Sequence, residues 1–251
     1  AALHALGVSM PTKKVIVNLS PADLQKEGSH YDVPILLGLL IEMEVLPSDA
    51  LDGYLVMGEL SLDSSLNFVS GILPAAMQAH SEDLGIICPH ANGAEALWAG
   101  GLEILAAKNM MEIIQHFKGE HRILAPEKAT IMQEAHYPDM SEIKGQESAK
   151  RALEITAAGG HNLLMSGPPG SGKSMLAARL PSILPPLNTK EMLEVSKVSS
   201  ITGTIKEGQL QQARPFREPH HNSSMPAMIG GGSKVKPGEI TLAHLGVLFL
   251  D

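Results

Sequence analysis

Residues 161–180 read HNLLMSGPPGSGKSMLAARL, and this stretch decides the fold of the second half of the chain. Its apolar beginning, residues 161–165, predicts a strand, and the residues after 173 predict a helix. Between them, residues 167–174 match the spacing G-x-x-x-x-G-K-[ST]. A strand, a glycine-rich loop and a helix in this order are typical of an α/β fold. A glycine-rich turn that matches by chance is the alternative.

The spacing of this loop indicates phosphate binding. Glycines let the backbone turn its N–H groups towards phosphate oxygens, and the N-terminus of the next helix adds the positive end of its dipole. Lys173 would reach the β- and γ-phosphates, and the Ser174 hydroxyl would bind Mg²⁺. We therefore predict ATP and Mg²⁺ as cofactors. The predicted nucleotide-binding residues of the loop are Gly167, Pro168, Pro169, Gly170, Ser171, Gly172, Lys173, Ser174 and Met175.

The last residue, Asp251, follows a short apolar run. In GVLFLD (246–251), residues 247–250 predict a strand with a carboxylate at its tip. A P-loop nucleotide hydrolase needs an acidic group beside its metal ion. We predict that Asp251 joins Ser174 at the metal and that Lys173 and Asp251 are catalytic. An ordinary strand-end turn is the alternative for Asp251.

Composition restricts the class of protein. The 251 residues are 44% hydrophobic but only 3% aromatic, so aliphatic side chains and the 13 Met must fill the cores. There is no charged leader with a long apolar core, and no apolar run reaches the roughly 18 residues of a membrane span. The single Cys88 excludes an intrachain disulfide and fits a reducing compartment. We expect a cytoplasmic chain without a membrane partner, cut from a longer protein at both ends.

The two halves of the chain differ in charge. Residues 1–137 hold 7 Lys and Arg against 17 Asp and Glu, whereas residues 138–251 hold 12 against 10. Such asymmetry favours two domains with different partners, and the acidic half is a poor surface for DNA. We predict a first domain at 1–125, a polar linker at 126–141 and a second domain at 142–251.

The first domain predicts an alternation of short strands and helices, which indicates α/β or α+β layers. We expect strands at 13–19, at 86–89, at 102–107 and twice within 53–71 around a turn at 63–65, with helices at 33–46, 73–85 and 109–117.

Four stretches carry a resemblance to a known family: VNLSPADLQKEGSHYDVPILLGLL (17–40), GQESAKRALEITAAGGHNLLMSGPPGSGKSMLAARLPSILPPL (145–187), RPFREPHHNSS (214–224) and PGEITLAHLGVLFLD (237–251). Together they resemble the ComM (YifB) family of bacterial Mg-chelatase-like AAA+ ATPases. This resemblance implies an ATP-driven hexameric motor on single-stranded or branched DNA, a branch-migration helicase of natural transformation and recombination. It also implies a catalytic glutamate and an arginine finger after Asp251, so we expect the chain alone to be inactive.

The resemblance implies a Lon-protease-like fold for the first domain. Lon-type peptidases use a Ser–Lys dyad, but KEGSHYD (26–32) places Tyr31 where the serine would stand, and Ser29 comes two positions early. The expected lysine is missing from residues 72–79. We therefore predict a scaffold domain without the catalytic dyad, with a Lon-like peptidase as an improbable alternative.

The stretch between the two nucleotide motifs contains an insertion with a Gly230–Gly231–Gly232 tip. In chelatase-type relatives the corresponding insert points towards the central pore. We predict that Arg217, Lys234 and Lys236 contact DNA phosphates; alternatively, Arg217 is structural and anchors the turn to Glu218 or to a neighbouring subunit. For His220 and His221, a hydrogen-bonding pair is favoured over a metal site.

Upstream of the loop, IKGQESAKRAL (143–153) resembles the adenine-pocket segment of AAA+ proteins. Backbone groups at Ile143 and Gly145 would contact the base, and the following helix would end at Gly159–Gly160. A generic amphipathic helix is the alternative. For the whole protein, the alternatives to a DNA motor are a chelatase-type remodeller of a protein or porphyrin complex and a non-enzymatic assembly module.

Overall fold

A computed structural model describes residues 2–20, 28–128, 130–132, 137–205, 207–231 and 235–251. The chain divides into two compact units. The first comprises Ala1–Thr130 together with Gly203–Gln209, and the second comprises Ile131–Thr202 and Leu210–Asp251. None of the helices in the described ranges combines the length and the apolar character that crossing a bilayer requires.

The first unit alternates short strands with helices. Three single 3₁₀ turns lie at Ser29–Tyr31, His90–Asn92 and Leu97–Ala99. Its helices are α1 (Ala2–Ala5), α2 (Asp32–Glu42), α3 (Ile72–Ser81), α4 (Gly93–Ala96) and α5 (Met110–Phe117), and its strands are β1 (Tyr54–Val56), β2 (Glu59–Leu60), β3 (Leu66–Asn67), β4 (Gly85–Pro89) and β5 (Ile104–Ala107).

A parallel sheet of order β1-β4-β5 lies at the centre of this unit. Side chains of one strand point alternately to the two faces. Ile87 and Leu105 therefore pack into a core with α2 and α5, whereas Ile86 and Ile104 pack into a second core with α3 and α4. A parallel sheet covered on both faces is a mixed α/β fold, as the alternation of elements predicts.

The helices follow from the spacing of apolar residues and from their caps. In α2, Val33, Leu36, Leu37 and Leu40 are buried, and this spacing places them on one face of the helix. In α5, the Asn109 side chain accepts a hydrogen bond from the Glu112 backbone N–H at 3.0 Å, which satisfies one of the free N–H groups at the helix start.

Two expectations for the first unit are wrong in detail. Residues 13–19 form no strand, and Ile16 is 77% exposed. A strand needs a neighbouring strand to satisfy its backbone groups, and no described strand pairs with this stretch. Residues 53–71 contain three strands rather than two, because β1 joins the parallel sheet while β2 and β3 form a hairpin around the predicted turn.

Gly208 belongs to the first unit although its sequence neighbours after 209 do not. Its carbonyl accepts a hydrogen bond from Trp98 Nε1 at 2.8 Å. Its φ is +68°, and a Cβ there would lie 2.7 Å from the Glu95 backbone N. Only glycine combines that conformation with so close an approach.

The second unit is mainly helical, with short two-stranded ladders. The pairs are β6 with β7, β8 with β11, and β9 with β10. Its helices are α6 (Glu147–Gly159), α7 (Lys173–Ala177), α8 (Leu180–Ile183), α9 (Thr189–Ile201), α10 (Met225–Ile229) and α11 (Glu239–Leu242), and its strands are β6 (Ile131–Met132), β7 (Leu210–Gln211), β8 (Phe216–Arg217), β9 (Gly230–Gly231), β10 (Lys236–Pro237) and β11 (Val247–Leu248), with a 3₁₀ turn at Met140–Glu142.

The predicted strand before the glycine-rich loop is absent. Residues 161–167 have no strand assignment, and Leu164 is 93% exposed. The described part of the second unit offers this apolar stretch no partner strand, so its backbone cannot enter a ladder. The predicted helix stop is confirmed, since α6 ends at Gly159 and Gly160 adopts a left-handed conformation with φ +62°.

Candidate functional site

The glycine-rich loop has the backbone that its sequence requires. Gly170 and Gly172 adopt φ values of +79° and +86°, a region that side-chain-bearing residues rarely enter. Helix α7 begins directly after Gly172, at Lys173. A Cβ on Gly167 would lie 2.8 Å from Ser171 Oγ, so the loop also closes tightly on itself.

Apolar packing fixes the helix that follows the loop. Leu176 of α7 is 3% exposed and belongs to one core with Leu153 of α6 and with Ile143. Polar contacts add to it, because Arg179 pairs with Glu142 at 2.8 Å. The segment predicted to contact adenine is therefore joined to helix α7.

Gln146 links the same segment to the loop itself. Its Nε2 donates to the Ser171 carbonyl at 3.3 Å, and its own φ of +55° is left-handed. A residue other than glycine in that region costs backbone energy and often lies at a functional site.

Lys173 already points into the loop. Its Nζ donates to the carbonyl oxygens of Gly167 at 3.1 Å and Pro168 at 3.3 Å. An ammonium group in this position can exchange these bonds for phosphate oxygens. The buried Ser171 Oγ has no hydrogen-bond partner in the described part of the chain.

One cavity of about 450 Å³ brings the loop and the last residue together. Five of the predicted residues do not line it, namely Gly167, Pro168, Ser171, Ile143 and Gly145. Ile143 is buried in the α6–α7 core, and Gly145 has a left-handed φ of +71°. The lining residues are Pro169, Gly170, Gly172, Lys173, Ser174, Met175 and Asp251.

Asp251 reaches this cavity through β11. Val247 pairs with Phe216 of β8 in a parallel ladder, and the Phe249 N–H continues the pattern by donating to the Arg217 carbonyl at 2.9 Å. The strand assignment covers only Val247–Leu248 instead of the predicted residues 247–250. A carboxylate, a hydroxyl and an ammonium side chain thus face one space, which suits a Mg²⁺–nucleotide complex.

The insert is a hairpin between two short helices. Strands β9 and β10 pair between α10 and α11. At its base, Arg217 forms a bidentate ion pair with Glu239, with Nε–Oε2 at 2.6 Å and Nη2–Oε1 at 2.7 Å. Hydrogen bonding to Arg217 lowers the pKa of the Glu239 carboxyl, and the same bonds raise the pKa of Arg217.

Lys236 and the two histidines of the insert make no ion pair like that of Arg217 in the described part of the chain. Lys236 lies exposed on β10, and Lys234 falls outside the described residues. The rings of His220 and His221 lie 4.2 Å apart, and His220 Nδ1 accepts the Asn222 N–H at 3.2 Å. No group of three potential metal-binding side chains occurs within the described ranges.

Ser29 of the first unit has an acidic neighbour. Its hydroxyl donates to Glu59 Oε2, and Asn67 Nδ2 donates to Glu59 Oε1 at 3.1 Å. The hydrogen bond from Ser29, and after it the one from Asn67, lower the pKa of Glu59. A carboxylate with a lowered pKa is a weaker base, so it is less able to take the proton of a hydroxyl.

Three residues of the site escaped the sequence argument. Gln146 was hidden in a helix-start pattern, and Arg179 followed α7 without any motif. Arg214 lies in the quoted stretch RPFREPHHNSS without an assigned role, yet its side chain is only 16% exposed. Its polar sequence neighbours gave no signal of that burial.

Comparison with known proteins places the chain in a family. A family model described as magnesium chelatase, subunit ChlI, matches residues 139–251, and one described as subunit ChlI of Mg-chelatase matches residues 1–92. YifB of Escherichia coli K12, itself uncharacterized, is 43% identical over 98% of the chain. Competence protein ComM of Haemophilus influenzae is 40% identical over 96%. The chain belongs to the ComM/YifB family of Mg-chelatase-like proteins.

A further relative is less similar in sequence. An uncharacterized protein of Mycobacterium tuberculosis is 36% identical over the entire chain and is half covered by it. The chain spans about half the length of these curated relatives, 48% of YifB and of ComM. The match to the magnesium chelatase model covers residues 139–251, which include the glycine-rich loop and Asp251.

Proposed function

We propose that this chain supplies the nucleotide-binding part of an ATP-driven AAA+ motor that acts on DNA. The observation that carries the proposal is the cavity in which Asp251 meets Lys173 and Ser174. A relative described as a competence protein supports DNA as the substrate. The motor would be a hexamer in the cytoplasm and a helicase for branch migration.

Each side chain of the cavity has a distinct role in the proposal. Lys173 would neutralise charge on the β- and γ-phosphates, and Ser174 and Asp251 would hold the metal ion. Bound Mg²⁺ would stabilise negative charge on the phosphate oxygens. Backbone groups at Ile143 and Gly145 would contact adenine, since Gln146 joins this segment to the loop.

The first unit would serve as a Lon-protease-like scaffold. Its parallel sheet is compatible with that fold. Peptidase activity is not part of the proposal, because residues 72–79 contain no lysine and Ser29 donates to the Glu59 carboxylate. The domain boundaries at 1–125, 126–141 and 142–251 belong to the same proposal.

The insert would contact DNA phosphates through Lys234 and Lys236, and through Arg217 once Arg217 is released from Glu239. Lys236 is exposed and ready for such a contact. Arg217 would reach DNA only after leaving Glu239, since its Nε and Nη2 atoms both donate to that carboxylate. The contact would be electrostatic and indifferent to base sequence.

ATP hydrolysis by the full-length protein, with and without branched DNA, tests this function. We expect turnover near the usual range of about 1 s⁻¹ or more, and we expect branched DNA to raise it. Lys173→Ala is the matched control and should remove both. Turnover that ignores DNA would contradict the substrate.

A chelatase-type remodeller of a protein or porphyrin complex is the second candidate. The description of the matching families as magnesium chelatase subunits favours it. ATPase activity that responds to a metal-insertion partner protein with its porphyrin, and not to DNA, would select this function over the first.

A further inference from the structure

The turn before β11 is held in an unfavourable conformation. Leu245 has a φ of +56°, a left-handed value that a branched apolar residue rarely adopts. At the next position, a Cβ on Gly246 would lie 2.0 Å from the Pro215 carbonyl oxygen. The turn is therefore pressed against the strand that β11 joins, and its surroundings must hold it there.

The Arg214 side chain is what holds this turn. Its Nη1 donates to the Leu245 carbonyl at 2.8 Å, and its Nε donates to the Pro185 carbonyl at 2.7 Å. Its Nη2 approaches the Glu191 carboxylate at 3.3 Å. Because that side chain is only 16% exposed, these bonds form in a site largely shielded from water.

The carboxylate that Arg214 pairs with is itself fixed, because Glu191 forms a capping box with Asn188 at the start of α9. The Arg214 backbone is also anchored, since its carbonyl accepts the Tyr137 hydroxyl at 2.7 Å. Arg214 therefore connects Leu245 to anchored elements and not to mobile side chains.

The turn decides where Asp251 points. Directly after it, Val247 donates to the Pro215 carbonyl at 2.8 Å and Phe249 donates to the Arg217 carbonyl at 2.9 Å. These two bonds align β11 with β8 and carry the chain to the cavity that Asp251 lines. A small rotation at Leu245 would be propagated along the strand.

We propose that Arg214 is a positioning residue that, by holding the carbonyl of Leu245, sets the register of β11 and so the place of Asp251 in the cavity. The catalytic consequence of this inference rests on the proposed function, whereas its structural part does not. Lysine cannot replace Arg214, because one ammonium cannot reach three divergent acceptors with the fixed geometry of a guanidinium.

Hydrogen exchange on the full-length protein tests the structural part without any activity. The variants are Arg214→Met, which keeps the length of the side chain, and Arg214→Lys, which keeps the charge. Arg151→Met is the matched control, since Arg151 is 72% exposed and pairs with Glu154 on its own helix. We expect exchange at Val247 and Phe249 to quicken at least about tenfold in both Arg214 variants, because local opening is what exposes these amides.

Magnesium titrations of ATPase activity test the catalytic part. Loss of a residue that orients a metal ligand typically costs about 10–100-fold in metal affinity or activity. We expect kcat to fall and the Mg²⁺ concentration for half-maximal activity to rise within that range, while ATP affinity in EDTA stays within about twofold, since Lys173 is untouched.

The outcomes separate this inference from the proposed function. Unchanged exchange at Val247 and Phe249 in the variants overturns the positioning role, whatever the wild type hydrolyses. A wild type without ATPase activity overturns the proposed function but leaves the exchange result to decide the register. If Arg214→Met does not fold, Arg214→Lys decides: wild-type exchange and wild-type Mg²⁺ dependence would both contradict the role.

Discussion

Glu239→Gln should strengthen DNA binding by releasing Arg217 from the base of the insert. In the structure the Nε and Nη2 atoms of Arg217 both donate to Glu239, so the guanidinium is occupied before any phosphate approaches. Arg217→Ala alone should then leave DNA binding nearly unchanged, whereas Lys236→Ala should weaken it because Lys236 is exposed on β10.

The size of the effect follows from the geometry of the pair. The two side chains are 41% and 21% exposed, which places the pair in the surface range of about 0–1 kcal/mol. Its two short parallel bonds place it at the upper end, at about 1 kcal/mol. Removing the Glu239 charge should therefore raise affinity by up to about fivefold.

The salt dependence of binding makes the test specific. Each phosphate contact changes the slope of log K against log salt by about 0.9 on duplex DNA. We expect the slope to steepen by about 0.9 in Glu239→Gln, to flatten by about 0.9 in Lys236→Ala and to stay constant in Arg217→Ala. Fluorescence anisotropy of labelled duplex across a salt series measures all three, with Arg151→Ala as the control.

Acid provides an independent check on the same pair. Because Arg217 lowers the pKa of Glu239 in the folded protein, the stability from this pair is fully present above pH 4.5, the ordinary carboxyl pKa. It is lost as the pH falls through the lowered value.

One outcome of the salt series would refute the reasoning. If the slope of log K against log salt became flatter in Arg217→Ala and stayed the same in Glu239→Gln, Arg217 would already contact DNA in the wild type.

Three other changes have defined outcomes. Lys173→Ala in the full-length protein should lower kcat at least about 100-fold while the melting temperature stays constant, because the bonds of Lys173 Nζ go to two carbonyls of its own exposed loop; normal turnover would exclude its phosphate role. Ser29→Ala should change nothing in a casein-cleavage assay, and ATP-stimulated cleavage that disappears in this variant would show that a peptidase exists. Burial raises the pKa of the Cys88 thiol to about 12, so a disulfide reagent at pH 8 should modify it only on unfolding. Stability should decline above pH 9.0, the ordinary thiol pKa, because only the unfolded chain ionises there. Rapid modification of the native protein would contradict the burial of Cys88.

The sequence predicts local structure best where one stretch carries its own signals. The loop at 167–174, the helix α5 behind Asn109 and the stop at Gly160 all depend on neighbouring residues. Their glycines, caps and apolar spacing act within a few positions along the chain.

Strand predictions fail where partners are needed. Residues 13–19 and 161–165 each contain an apolar run, as the real strands β4 and β5 do, yet they lack a paired neighbour among the described strands. An apolar run states only that a stretch can be buried, and not which strand will pair with it.

Long-range polar contacts could not be predicted from one sequence. Arg214 contacts residues 29 and 31 positions away, and Arg217 contacts one 22 positions away. The basic charge of Arg217 suggested DNA, but burial and the positions of the carboxylates decide what each arginine binds. Only the folded chain supplies those distances.

Magnesium-dependent ATP binding by the full-length protein tests the central claim most directly. The claim is that Asp251 and Ser174 hold one metal ion beside the phosphates that Lys173 binds. Equilibrium titration with a fluorescent ATP analogue, in Mg²⁺ and in EDTA, should show that Mg²⁺ tightens binding in the wild type. In Asp251→Asn this gain should shrink at least about tenfold, while affinity in EDTA stays constant. An Asp251→Asn protein with the full wild-type Mg²⁺ gain would contradict the account.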